Sequence, residues 1–575
     1  MKELFVYLKN YKKECVLSPL FKMFEASFEL LVPLVMAKMI DVGIQNGDTA
    51  YILKMGGLLV LLGVIGLVCS ITAQYFAAKA AGGFGTELRN HLFSHINSFS
   101  YKEIDGAGTA TLVNRMTNDI GQMQNCVNLV LRLFLRSPFV VFGAMVMAFT
   151  IDVKEAMVFV VAIPLLSIVV FGIMLITMPL YKKVQGRLDE VLLLTRESLS
   201  GARVIRAFHR EQDEIENFHE MNRHLVDAQK FVGKLSALMN PLTNVIINGA
   251  ALVLIWSGAW QVEGGILTQG ALVALINYMS QILVELVKLA NLILVITKAM
   301  ACGKRVTELF HVENSLPDTT QTDPSLRLSK GEVTFQNVEF SYQDSREPVL
   351  SGITFDAQPG RLFGIIGGTG SGKSTLVNLI ARFYEAGKGQ ILLDGTEIGR
   401  YPVKELRSRI GVVPQKAVLF KGTIRDNLRW GKKDATDEEI NDALRISQAK
   451  EFVDEKGLDF MLSAGGKNLS GGQRQRLTIA RALVKRPAIL ILDDSASALD
   501  YATDKKLREA VEKELSCTTF VVSQRVSSIR HASQILVLDD GKIAGIGDHN
   551  HLYENCSLYR ELCLSQMSKE EAMQA

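Results

Sequence analysis

Six long apolar runs lie before residue 302, near 16–40, 55–80, 126–150, 156–180, 235–262 and 271–300, and none of that length follows. A helix needs about 20 apolar residues to cross the hydrocarbon core of a bilayer. Buried helices of a soluble protein are the alternative, but six such runs followed by an ordinary soluble composition predict six spanning helices. Hydrophobic residues make up 48% of the 575-residue chain, as expected when part of it sits in lipid. Basic residues set the orientation. Lys2, Lys9, Lys12 and Lys13 precede the first run, whereas Asp41 to Ala50 and Gln261 to Gly270 carry no Lys or Arg, and Ile151 to Glu155 has only Lys154. Tyr181 to Lys234 holds ten basic residues. Both termini and two long loops are therefore expected on the cytoplasmic side of a cell membrane, with three short loops outside.

The second long loop keeps an apolar stripe at helical spacing (Leu188, Val191, Leu192, Thr195), which predicts helices running out of the bilayer, with a short turn near Ser200-Gly201. Lys22, Glu25, Glu29, Arg132, Arg136, Asn244, Asn248, Gln281, Glu285 and Lys288 fall inside the spans. Charge at depth is costly, so each must face a cavity, a partner helix or the interface. Glu285 is a candidate cavity residue or a simple i,i+3 partner of Lys288, and Arg132 and Arg136 are candidates for snorkelling to the inner surface. Pro164, Pro179 and Pro241 are candidate kinks.

Several functions are excluded or left without support. The net charge of +3 and the lack of a basic patch interleaved with aromatics give no reason to expect nucleic-acid binding. The seven cysteines (Cys15, Cys69, Cys126, Cys302, Cys517, Cys556 and Cys563) are odd in number, widely spaced and without a C-x-x-C pair, which argues against a disulfide framework or zinc site. No small-residue cleavage site follows the N-terminus, so no removable signal peptide is expected.

After residue 302 the composition shifts to Pro, Asp, Thr and Ser, a linker, and then to strands such as Gly331 to Phe335 and Arg361 to Ile366 alternating with helices. Gly367-Gly368-Thr369-Gly370-Ser371-Gly372-Lys373-Ser374-Thr375 matches G-x-x-x-x-G-K-[ST] between the Leu362 to Ile366 strand and the helical Leu376 to Arg382, the context this phosphate loop requires. Its glycines let backbone N–H groups wrap the phosphates of ATP at a helix N-terminus. Lys373 is expected at the β- and γ-phosphates and Ser374 on Mg²⁺. Ala488 to Leu492 is a buried strand ending in Asp493, a second Mg²⁺ residue.

Leu469-Ser470-Gly471-Gly472-Gln473 resembles the signature of ABC transporters. Tyr342, Gln415 and the Ser497-Ala498-Leu499-Asp500 run strengthen the resemblance, and six spans with one such domain resemble a type IV ABC exporter half-transporter. Gly201 to Phe208 resembles the second coupling-helix region of those exporters. The resemblance implies an all-α six-helix transmembrane domain (1–310), a linker (311–330) and a cytoplasmic α/β P-loop ATPase domain of ABC type (331–575). It also implies that Tyr342 stacks on adenine and that Gln415 senses the Mg²⁺ site. Ser470, Gly472 and Gln473 would cap the nucleotide held by the opposite subunit of a head-to-tail dimer that sandwiches two nucleotides, and the resemblance counts Gly471 and Asp500 among the nucleotide-binding residues.

Two positions depart from the family pattern. Asp494 follows Asp493 where a Glu polarises the attacking water, and Gln524 stands where a switch His follows Val522-Ser523. Asp is one methylene shorter, and a misplacement of about 1 Å can cost roughly 100-fold in rate. Gln can bond a γ-phosphate but carries no charge near neutral pH. Met461 to Gly466, before the signature, also departs, with Ala464 aligned to a usual Glu. The combination resembles the degenerate-site subunit of bacterial heterodimeric multidrug exporters. It implies a second half-transporter carrying the consensus Glu and His, an amphipathic small-molecule cargo (drug or lipid) and membrane lipid as surroundings. A homodimeric lipid or peptide exporter with a weakened Asp, and an ATP-regulated channel or sensor, remain alternatives.

Overall fold

The computed structural model describes residues 2–316, 322–342, 347–495 and 498–568. Residues 317–321 of the expected linker, and Ser497, lie outside the described residues. The chain forms two compact units, Met1–Asn97 with Ala110–Val312, and Ser98–Thr109 with Glu313–Ala575.

The first unit is helical. Among the described residues, five helical stretches are long and apolar enough to cross a membrane: Thr49–Asn97, Thr109–Ile151, Val153–Ser200, Glu211–Glu263 and Gln269–Phe310. The Lys12–Lys38 helix has 27 residues, enough length for a sixth span, but carries Lys22, Glu25 and Glu29 at its centre. Side chains facing away from the bundle are apolar, with Val161, Ile168 and Trp256 between 68% and 74% exposed. Such surface suits lipid, not water.

Small residues let these helices approach closely. An added Cβ at Gly143 would lie 2.5 Å from Leu30 Cδ1, and one at Gly270 would lie 2.2 Å from the Ala37 carbonyl oxygen. The Val153–Ser200 helix starts where the Asp152 carboxylate accepts the Glu155 N–H at 2.8 Å, and it runs through Pro164 and Pro179 without ending. Near Pro241, a candidate kink, the helical run is interrupted at Leu238, between Glu211–Ala237 and Met239–Glu263. Pro241 thus sits in the first turn of its helix, where the missing N–H costs little. The turn expected near Ser200-Gly201 is present, followed by a short helix, Ala202–Ala207.

Within this unit the charges of the spans converge. Arg136 donates to Glu285 Oε1 at 2.5 Å and to Glu29 Oε2 at 2.5 Å. Ser137 Oγ donates to Glu285 Oε2 at 2.7 Å, and Lys288 Nζ to Glu285 Oε1 at 2.8 Å. Lys22 Nζ donates to Glu25 at 2.5 Å and to Ser70 Oγ at 3.0 Å. Snorkelling therefore fails for Arg136, which is 7% exposed, because two carboxylates hold it inside the bundle. Glu285 is buried in this network, and its pairing with Lys288 is present.

The second unit is α/β. A six-stranded sheet runs Lys542–Gly547, Gln534–Asp539, Leu362–Gly367, Thr518–Val522, Ile489–Asp493 and Ile410–Val413, parallel except for the first strand. Ile489 and Ile491 pack into one apolar cluster, Leu490 and Leu492 into the other. A strand covered on both faces reads as an unbroken apolar run, which is why Ala488 to Leu492 was legible. A four-stranded antiparallel sheet holds Val333–Phe340, Leu350–Ala357, Lys388–Leu393 and Thr396–Glu397. The first of these begins two residues later than expected. At Gly331, φ is +80°, and a Cβ would meet the Ala488 carbonyl oxygen at 2.5 Å. The helix after the phosphate loop is Lys373–Ile380, earlier than expected, and Arg382, at φ +48°, is past its end.

The helix Tyr101–Ala107 belongs to this second unit. Ser100 and Glu103 form its capping box, its Tyr101 ring lies 4.5 Å from that of Phe383, and Asp105 accepts from the Tyr384 hydroxyl.

Candidate functional site

Ligands of open parallel sheets bind beyond the carboxyl ends of the strands. Here the register sets Val522 beside both Ile365 and Asp493, so three parallel strands bring their carboxyl ends to one edge. The chain then turns sharply between strand and helix. Gly370 and Gly372 adopt φ of +85° and +94°, a region that favours glycine. A Cβ at Gly372 would meet Leu350 Cδ2 at 2.7 Å, and one at Gly367 the Leu538 carbonyl oxygen at 2.1 Å. At Gly368 and Gly370 a Cβ would meet nothing within 4 Å, so backbone there faces open space. The Ser371 N–H closes the turn on the Gly368 carbonyl at 3.3 Å.

A cavity of about 330 Å³ opens at this edge, lined by Thr369, Gly370, Gly372, Lys373, Ser374 and Thr375 of the loop, with Gln415, Asp493, Asp494 and Gln524. Val349, Val522 and Ser523 complete the wall. The sequence reading missed these three as lining residues, and their apolar or small side chains gave no signal.

Lys373 Nζ donates to the carbonyls of Gly367 at 2.9 Å and Gly368 at 2.5 Å. Burial pushes this ammonium below its ordinary range, against the pull of Asp493 and Asp494. Burial also pushes the Asp493 carboxyl up; the Ser374 hydroxyl opposes this and Asp494 adds to it. Ser374 Oγ donates to Asp493 Oδ1 at 3.1 Å. A hydroxyl and a carboxylate meeting beside a glycine cradle form a hard-oxygen donor set that fits Mg²⁺ with a phosphate chain. Asp494 has φ +45°, its N–H bonds the Val522 carbonyl at 2.9 Å, and its Oδ2 accepts from Gln415 Nε2 at 3.2 Å.

Two family descriptions match the chain: "ABC transporter transmembrane region" over residues 15–286 and "ABC transporter" over residues 350–497. An uncharacterized ABC transporter ATP-binding protein of Mycobacterium tuberculosis is 36% identical over 566 residues, 97% of each chain. The chain belongs to the ABC transporters. A putative multidrug export ATP-binding/permease protein of Bacillus subtilis is 32% identical over 98% of both chains. An ATP-dependent lipid A-core flippase of Desulfotalea psychrophila is 34% identical over 81% of this chain and 82% of its own. A bacterial Atm1-family ABC exporter solved with ATP bound superposes with a TM-score of 0.79 at 25% identity, covering 97% of this chain and 99% of that one. One transmembrane region joined to one ATP-binding domain makes this ABC transporter a half-transporter of type IV-like exporter fold.

Within this ABC transporter the remaining predicted residues are not among those lining the cavity. Tyr342 bonds Thr375 Oγ1 through its hydroxyl at 3.1 Å and meets the Phe340 and Tyr384 rings edge-on at 4.9 and 5.4 Å. Ser470 caps the Gly471–Leu483 helix in a reciprocal box with Gln473, and a Cβ on Gly472 would lie 3.2 Å from the Ala498 carbonyl oxygen. Asp500 caps the Tyr501–Glu514 helix, accepting from the Thr503 N–H at 2.9 Å, and these backbone donors hold its carboxyl below the ordinary range. None of Ser470, Gly471, Gly472, Gln473 and Asp500 lines the cavity around Lys373.

Proposed function

We propose that this chain is one subunit of a heterodimeric ABC exporter, that it holds ATP with Mg²⁺ at a slow site of its own, and that it lends its signature to a faster site on the partner. The bond between Gln415 and Asp494 carries this reading. The carboxylate that follows Asp493 is shorter than Glu and is engaged by Gln415 at 3.2 Å, and the residue across the cavity is the uncharged Gln524. Neither residue suits rapid activation of water. In this reading Gly367 to Thr375 wrap the phosphates, Tyr342 stacks on the base, and Ser374, Asp493 and Gln415 serve Mg²⁺, which neutralises charge on the phosphates. Ser470 to Gln473 and Asp500, at helix ends away from the Lys373 cavity, meet the partner's nucleotide. The partner contributes the consensus Glu and His.

The cargo is an amphipathic small molecule, a drug or lipid, in keeping with the multidrug and lipid A-core relatives. The transporter sits in the cytoplasmic membrane with its N-terminus and ATP-binding domain inside, as the basic residues direct.

ATP hydrolysis by the purified chain alone, and by the chain with a Glu-bearing half-transporter, tests the proposal. The expected outcome is low turnover alone and a rise of at least about tenfold on pairing, the order of effect of a positioned general base. Brisk turnover by the chain alone, abolished by Asp494→Asn, would establish a homodimer using Asp. Transport into proteoliposomes distinguishes a pump from an ATP-regulated channel.

A further inference from the structure

Gln524 belongs to the segment that leads from the Thr518–Val522 strand into the short helix Val526–Ile529. The entry to this segment is held by the sheet, where the Ser523 N–H donates to the Ile365 carbonyl at 3.1 Å. Its middle is held locally, by the Arg525 N–H on Ser523 Oγ at 3.0 Å. Its exit is held by one side chain from the C-terminal part of the chain. Gln566 Nε2 donates to the Gln524 carbonyl at 2.8 Å, and Gln566 Oε1 accepts the Val526 N–H at 2.9 Å.

Gln566 is the last residue of the helix Ser557–Gln566. That helix is seated by Tyr559 and Cys563, both without exposed surface and in the same apolar cluster as Val526 and Ile529. The Tyr559 hydroxyl is further fixed on His549 Nδ1 at 2.8 Å. A carboxamide presents a donor and an acceptor side by side, so it can hold a carbonyl and an N–H two residues apart at once. The two bonds fix the backbone on either side of Arg525 without any contribution from nucleotide.

We propose that Gln566 is a positioning residue for the nucleotide site: its carboxamide holds the 524–526 backbone, which aims Gln524 into the cavity and sets how long ATP stays there. This rests on the reading that the chain's own cradle retains ATP with Gln524 at the terminal phosphate. The C-terminal helix, remote in sequence from every nucleotide motif, thereby governs retention at that site.

Two variants of the full-length chain in detergent test it. Gln566→Met keeps length and packing but removes both bonds. Gln566→Glu keeps the acceptor for Val526 and sets an oxygen against the Gln524 carbonyl. Hydrogen exchange at the Val526 amide without nucleotide is expected to rise about tenfold in the Met variant, the worth of one hydrogen bond at tenfold per 1.4 kcal/mol. In the Glu variant it should stay near wild type. Dissociation of a fluorescent ATP analogue with Mg²⁺ should accelerate about fivefold in both variants, with unfolding midpoints unchanged.

Wild-type exchange at Val526 in the Met variant overturns the proposal. So does faster exchange without faster dissociation, and so does a lowered midpoint with exchange raised throughout the unit, which is a purely structural role. Failure of the underlying reading is separable, because wild type itself would then fail to retain the analogue.

Discussion

The membrane unit and the ATP-binding unit each gather charge in a partly dry place, and they treat it in opposite ways. In the membrane unit Arg136, Lys22 and Lys288 meet Glu285, Glu29 and Glu25, so three cations stand against three carboxylates and the set balances its own charge. In the ATP-binding unit Lys373 donates to loop carbonyls, while burial and Asp494 push the Asp493 carboxyl up. Burial also pushes Lys373 down, so each group sits where its charged form is the costly one. A closed network holds helices together; an open one is relieved only when an opposite charge arrives. The first therefore reads as architecture and the second as a binding site.

The sharpest test of closure is to open it. Arg136→Met leaves Glu285 and Glu29 without their shared guanidinium. Removing one partner of a buried pair costs about 3–5 kcal/mol, so the full-length chain in detergent should show a large fall in thermal unfolding midpoint. The double change Arg136→Met with Glu285→Met should recover most of that loss, because a buried pair replaced by apolar side chains is often neutral. A single variant as stable as wild type would show that water already reaches these charges.

The open site responds differently. Lys373→Met should weaken ATP binding roughly 100-fold, near 2.7 kcal/mol, within the range for hydrogen bonds to charged groups. It should leave the unfolding midpoint of the nucleotide-free chain unchanged or slightly raised, since a desolvated ammonium has gone. Equilibrium binding and melting on one preparation give both numbers. A loss of stability comparable to that of Arg136→Met would erase the contrast.

These two places were not equally legible. The phosphate loop is local: nine consecutive residues specify a turn, a helix start and a lysine, and the strands around it read as apolar runs. The pairing of Glu285 with Lys288 was also local, three residues apart on one helix. Arg136 and Glu285 are 149 positions apart, and nothing in either neighbourhood announces the other. The same holds for Gln415 with Asp494, and for Gln566 with Gln524. Periodicity reveals which face of a helix is buried but not which polar residue of another helix will share that burial. Tyr101–Ala107 shows the limit from another side. Its capping box, Ser100 with Glu103, was present in the sequence, but its membership of the second unit follows from aromatic contacts with Phe383 and Tyr384 far along the chain.

The smallest expected effect tests the open site most finely. Burial first, and then Asp494, raise the Asp493 carboxyl above its ordinary range, with Ser374 and Lys373 opposing. A raised acid keeps its proton longer folded than unfolded, so the folded state loses stability as pH climbs from the ordinary carboxylate range through the raised one. That cost is complete at neutral pH and absent at lower pH. Asp493→Asn removes it and keeps an oxygen for the Ser374 hydroxyl. The group is partly solvated, which limits the gain to under about 1 kcal/mol, or roughly 2 °C in midpoint for a domain of this size. The gap between variant and wild type should close as pH falls toward about 4. Adding ATP with Mg²⁺ should reverse the order, because wild type then gains a ligand for its carboxylate and the variant has none to offer. A gap that ignores pH, or a variant that gains as much from the nucleotide, would mean that Asp493 was already satisfied by its own neighbours, and that the second charge cluster is as closed as the first.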